Sequence, residues 1–241
     1  MTTGLSIDDI LRRSSHKQGS RSSCVNGGHG MNTDSGAHEE FDALIASFSA
    51  SDNAAERAVI RDTIWERFGT SGTTFISDMA NFSSTSRALG ICHFLKLIHR
   101  TREFVAPIIE SNNGTLLKCD ADNCYAFFKE TDDALQASFD VNAELFRNNQ
   151  DNDLENHIYL SIGIDHGKLL LVGNDDYYGD PVNTASKLGE DLASKNEMLV
   201  TERALEQSTH QVSANAERMV ARISDIEISY VRLLMNEAAA G

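Results

Sequence analysis

The chain has 241 residues, 41% hydrophobic and 24% charged, an ordinary globular composition with room for one sizeable core and an appendage. A formal net charge of −15 opposes duplex nucleic acid and anionic membrane surfaces, so a phosphate-bearing ligand would have to be met locally, by metal ions or a few placed cations. The opening "MTTGLSIDDILRRSS" lacks an apolar signal-type stretch, no later run is long enough to insert in a membrane, and the four cysteines form no CxxC pair; together these predict a cytoplasmic protein in a reducing compartment.

Residues 1–37 are rich in Ser, Gly, Asn and Thr and poor in aliphatics after Leu11, which predicts a disordered tail. Over 38–70 apolar residues recur at helical spacing: Phe41, Leu44, Ile45 and Phe48, then Ile60, Ile64, Trp65 and Phe68. Two helices follow, broken at "SASDN", where Ser49, Ser51 and Asn53 favour a cap or turn. Residues 71–236 read as the main domain. "TTFISD" is a strand. "ALGICHFLKLIHRTREFVAPIIESNNG" is a long helix ending at Gly114, with Pro107 marking a kink or boundary. "TLLKC" and "CYAFFK" are strands joined by an acidic turn, and "DDALQASFDVNAELFRNN" is an amphipathic helix. "HIYLSIGID" is a strand, and "KLLLV" is another after a turn at His166–Gly167. "VNTASKLGEDLA" is a helix, "EMLV" a strand and "ISDIEISYVRLL" a last strand region. This order predicts an α+β fold, a ferredoxin-like βαββαβ core with additional strands and helices.

Three places in the sequence suggest chemistry. Asp78 closes the first strand. The next hairpin carries Lys118, Asp120 and Asp122 at its tip, and in a split βαβ core that tip neighbours the first strand. Two carboxylates brought together repel unless one is protonated or a cation lies between them, and hard divalent cations take oxygen ligands. Third, Asn183 and Lys187 stand four apart on a helix that starts near Pro181, with Asp176 upstream. An amide and an ammonium on one face suit a ribose and a phosphate. Asp165 and His166 read as turn residues at a strand end, His93 and His99 as surface or packing residues. Cys119 and Cys124 could face each other across the hairpin, but read as two free buried thiols.

Four stretches in order, "FISDMANFS", "NNGTLLKCDADNCYAFF", "IGIDHGKLLLVG" and "YYGDPVNTASKLGE", resemble the class III nucleotidyl cyclase catalytic domain over roughly residues 73–204. The resemblance implies that Asp78, with the Met79 carbonyl nearby, and Asp122 hold two divalent cations, Mg²⁺ or Mn²⁺. It implies that Lys118 and Asp176 read adenine, a lysine donor and an aspartate acceptor being complementary to its ring nitrogen and amino group. Asn183 would orient the ribose and Lys187 would stabilise charge on the transferring phosphate; Arg222 stands in the region where the family has a phosphate-contacting lysine. The implied protein is an adenylate cyclase acting as a homodimer, one chain supplying the metal aspartates and the other the base-reading and helix residues.

Two departures from the family pattern matter. Ala121 replaces a glycine before the second aspartate, which is costly if the position needs φ > 0. Lys187 replaces an arginine and loses its planar fork. They motivate an alternative, a catalytically silent cyclase-like nucleotide-binding or dimerisation module. A guanylate cyclase is third, opposed by Lys118.

Overall fold

The structure, a computed structural model, describes residues 35–80, 87–210, 216–223 and 226–234. The expected tail falls outside these residues except for 35–37, which are helical. In chain order the elements are α1 (Ser35–Ala50), α2 (Ala54–Phe68), β1 (Gly69–Met79), α3 (Ile91–Ser111), β2 (Gly114–Asp120), β3 (Asn123–Phe128), α4 (Thr131–Gln150), β4 (Leu160–Val172), β5 (Asp176–Tyr178), α5 (Asp180–Ser186), β6 (Glu197–Thr201), α6 (Glu202–Leu205), β7 (Glu217–Ile223) and β8 (Ile226–Leu234). Two compact units result: one runs to Thr70 and takes in Leu170–Asp176, and the other holds Ser71–Leu169 and the chain from Tyr177.

In the first unit, α1 and α2 pack through Phe41, Leu44, Ile60, Ile64 and Phe68, joined by Val172. The rings of Phe41 and Phe68 meet edge to face at 5.2 Å. Asn53 caps α2, its side chain accepting from the N–H groups of Ala55 and Glu56. His38 on α1 pairs with Asp175 at 2.5 Å.

In the second unit, the segment from β1 to β4 has the predicted βαββαβ order, and its strands stand as β2-β3-β1-β4, the ferredoxin-like arrangement. The sheet continues as β6-β8-β7, and β5 pairs with β4. β4 and β6 are parallel; β6, β8 and β7 run antiparallel in turn. One apolar layer lies between this sheet and the helices α3 and α4. Phe94, Leu97, Val105 and Ile109 come from α3 at helical spacing, and Ala134, Val141 and Leu145 from α4. They close on Phe75, Phe128, Ile162 and Val200 of the strands. β1 is buried from Gly72 to Ser77 without alternation.

Several expectations are corrected here. There is no turn at His166–Gly167: β4 runs unbroken through thirteen residues. Asp165 is fully buried and held by Arg203, and the His166 ring bonds to the Thr73 hydroxyl at 2.9 Å, so this stretch is pinned inside the sheet. Pro107 neither breaks nor bounds α3, which continues to Ser111. The last strand region is a hairpin, because β7 precedes β8 and was not recognised in "ERMVARI". Cys119 and Cys124 are not free thiols: they are direct partners in the β2–β3 register, 4.2 Å apart at Cα, and their sulfurs are bonded. Cys92 is free and exposed.

Candidate active site

The end of β1 sets the first carboxylate. Met79 turns its side chain into the core, so the preceding residue, Asp78, faces the other way and is partly exposed. The strand end is fixed on both sides of it: the Asp78 carbonyl accepts from Ser161 at 3.3 Å, and the Ala80 N–H donates to the Tyr159 carbonyl at 2.9 Å.

The second carboxylate comes from the β2–β3 hairpin. β3 pairs with β1 with Ser77 opposite Cys124, so the tip stands beside the end of β1. The tip between Asp120 and Asn123 consists of Ala121 and Asp122, and Ala121 has φ 47°. The left-handed backbone anticipated from the missing glycine is therefore real, and alanine occupies it at a cost. Arg102 of α3 holds the turn from behind, donating to the carbonyls of Ala121 at 2.9 Å and Cys119 at 3.3 Å.

Asp122 acts on Asp78. The pKa of Asp78 is raised to about 6, first by burial, then by the charges of Asp122 and Glu190, against a hydrogen bond from the Met79 N–H that lowers it. Of the two hairpin aspartates, it is Asp122 whose charge raises the pKa of Asp78.

Glu190 was not anticipated. After α5, residues Lys187–Leu192 form a wider π-type turn. Its Gly189 lies so close to β1 and β4 that a β-carbon there would stand 2.9 Å from the Ile76 carbonyl and from the Gly163 nitrogen. That approach brings Glu190 to the site, where it accepts from Ser186 at 2.9 Å and from the Tyr125 hydroxyl at 3.4 Å. Helical spacing could not reveal it, because the wider turn shifts every later side chain out of the 3.6-residue phase.

The other candidates are placed as follows. Lys118 is exposed on β2, its ammonium 5.6 Å from the centre of the Tyr125 ring. Asn183 lies in α5. Lys187 begins the π-type turn, where its ammonium pairs with Asp191 at 2.8 Å and is held protonated by it. Asp176 opens β5. Arg222 lies on β7, the edge strand at the opposite side of the sheet from β2. His93 bonds to the Glu155 carbonyl and His99 pairs with Glu103, both surface contacts.

The donor set suits a hard cation. Asp78 and Asp122 offer carboxylate oxygens, and a positive charge near them would relieve the repulsion that raises Asp78. Among the described residues no three His, Cys, Asp or Glu side chains form a ready cation cage, so oxygens from elsewhere would have to complete the coordination. Among the described residues no helix is long and apolar enough to cross a membrane.

By sequence, no family model and no curated protein matches the chain. By structure the likeness is plain. An adenylate/guanylate cyclase/hydrolase from Silicibacter pomeroyi matches with a TM-score of 0.60 at 21% identity, over 69% of this chain and 97% of that one. A guanylyl cyclase matches with a TM-score of 0.60 at 18% identity, over 71% and 96%. A bacterial light-regulated adenylyl cyclase matches with a TM-score of 0.59 at 21% identity, over 68% of this chain and 52% of that one. The chain has the fold of the adenylate and guanylate cyclase catalytic domains.

Proposed function

We propose that the protein is an adenylate cyclase, converting ATP to 3′,5′-cyclic AMP and pyrophosphate as a cytoplasmic homodimer that uses Mg²⁺ or Mn²⁺. The observation that carries this reading is the register of β3 on β1, which sets the hairpin tip bearing Asp122 beside the end of β1 at Asp78, two carboxylates on rigid elements in a nucleotidyl cyclase fold. Asp78, the Met79 carbonyl and Asp122 would hold the cations, with the nucleotide phosphates as the remaining ligands. When bound, the cations supply activation of the ribose 3′-hydroxyl and neutralisation of phosphate charge.

The remaining roles belong to the chain's own side chains. Lys118 donates to the adenine ring nitrogen from an exposed position steadied by the Tyr125 ring. Asp176 accepts from the adenine amino group, an assignment supported by the sequence resemblance alone. Asn183 orients the ribose so that its 3′-oxygen faces the α-phosphorus. Lys187 counters charge on the transferring phosphate. The resemblance gives Arg222 a phosphate contact; its place on β7 adds nothing to that.

A second reading is a catalytically silent nucleotide-binding or dimerisation module. It is favoured by the pairing of Lys187 with Asp191, which withholds the cation meant for phosphate, and by the strained Ala121 beside Asp122. Guanylyl cyclases share the fold, so GTP must be compared directly.

The test is cyclic nucleotide formation by the purified protein, with ATP and GTP side by side, in Mn²⁺ and in Mg²⁺. Cyclic AMP from ATP alone is expected. No product from either, in a dimer that still binds ATP with metal, selects the silent module. Cyclic GMP from GTP in preference to cyclic AMP from ATP refutes the role given to Lys118.

A further inference from the structure

The helix that carries Asn183 is seven residues long and runs on into the six-residue π-type turn, a span still marginal on its own hydrogen bonds. Its N-cap is Gly179, φ 156°, which has no side chain to accept from the free N–H groups of the first turn. Something outside the helix must hold that turn.

Arg203 is placed to do so. Asp165, fully buried in β4, accepts at one carboxylate oxygen from the Thr201 hydroxyl at 2.5 Å, the Arg203 Nε at 2.7 Å and the His166 N–H at 2.9 Å. Its other oxygen accepts from Arg203 Nη2. The same Nη2 pairs with Asp180 at 2.6 Å and lies 3.5 Å from the Thr184 hydroxyl. One planar guanidinium therefore spans from a buried strand carboxylate to the two α5 residues that bracket Asn183. A fork of this kind can satisfy both ends at once; an ammonium cannot.

We propose that Arg203, anchored on Asp165, is a positioning residue: through Asp180 it clamps the first turn of α5 and so fixes Asn183, and Lys187 beyond it, in the orientation that nucleotide turnover requires. The proposal deepens the cyclase reading and takes from it the roles of Asn183 and Lys187. A purely structural ion pair between β4 and α6 would need Asp165 but not Asp180. Asp180 is 58% exposed, where an ion pair adds little to global stability. The Asp180 arm therefore separates positioning from folding.

The test uses the full chain, wild type, Asp180→Asn and Arg203→Lys. It reads hydrogen exchange over residues 180–192, the melting temperature, and kcat and KM for cyclisation. For Asp180→Asn the expected result is about tenfold faster exchange in that segment and an unchanged melting temperature. kcat is expected to fall about tenfold with little change in KM, the loss that a displaced positioning group produces. Arg203→Lys should move the same way and further. Exchange in Asp180→Asn equal to wild type overturns the clamp, whatever the activity. If wild type forms no cyclic product, exchange decides alone: faster exchange in Asp180→Asn keeps the clamp while the cyclase reading falls.

Discussion

Gly163 of β4 and Gly189 of the π-type turn meet backbone to backbone. A β-carbon on Gly163 would stand 2.0 Å from the Ala185 carbonyl oxygen and 2.5 Å from the Gly189 nitrogen. No side chain fits there, and the obstacles are main-chain atoms that cannot swing aside. Gly163→Ala should therefore cost about 3 kcal/mol by overpacking and lower the melting temperature by roughly 10 °C. It should also push Glu190 away from Asp78. Chemical denaturation measures the cost; a loss below about 0.5 kcal/mol would show that the turn does not sit this close.

Asp78 is expected to trade stability for function. Its folded pKa, about 6, lies above the unfolded value of 3.8. The protonated form is thus the one the fold favours. The resulting stability is fully present below about pH 4 and is lost as pH rises through 6. In the metal-free protein at pH 7, Asp78→Asn should be more stable than wild type by about 1–2 kcal/mol, after allowing for partial solvent screening. The same variant should lose cyclase turnover and the stabilisation by Mn²⁺ seen in wild type. Urea denaturation at pH 4 and pH 7, with and without Mn²⁺, checks the two stability outcomes, and a cyclic nucleotide assay checks the turnover; equal Mn²⁺ stabilisation in both proteins would remove Asp78 from the metal site.

At the hairpin tip the strain is local. Ala121 holds φ 47°, where an L-residue pays for its β-carbon. Ala121→Gly relieves that cost and gives part back to the more flexible unfolded chain, leaving a net gain of about 0.5–1 kcal/mol. Thermal denaturation should show the increase, and a variant less stable than wild type would mean the tip prefers alanine for a reason absent from its backbone angle.

Lys118 tests base recognition apart from catalysis. Lys118→Glu should cut kcat/KM for ATP by about tenfold, roughly 1.4 kcal/mol, and shift the ATP-to-GTP ratio toward GTP, because the donor proposed for the adenine ring nitrogen becomes an acceptor. An unchanged ratio at reduced overall rate would assign Lys118 to general electrostatics.

Much of this molecule could be read locally. The α3 stripe from Phe94 to Ile109 repeats at helical period, and "CYAFF" carries strand-forming residues next to an acidic turn. Asn53 could be read as a helix cap because capping depends on the residues immediately after it. Errors arose where a local signal was overridden from a distance. Asp165, His166 and Gly167 look like a turn, yet Arg203, Thr201 and Thr73 supply partners that keep β4 straight through them. Pro107 could mark a boundary, yet the apolar face of α3 continues past it to Ile109.

The sequence by itself determined the elements from α1 to α4, their order and the oxygen-bearing residues at strand ends and tips, because periodicity and turn chemistry act over a few residues. Only the tertiary structure decided which of those groups meet. Asp78 and Asp122 become neighbours through the register of β3 on β1, and Glu190 joins them through the contact of Gly189 with Gly163. Such contacts join positions dozens of residues apart, and no local pattern encodes the approach of two backbones or the phase of a widened helical turn.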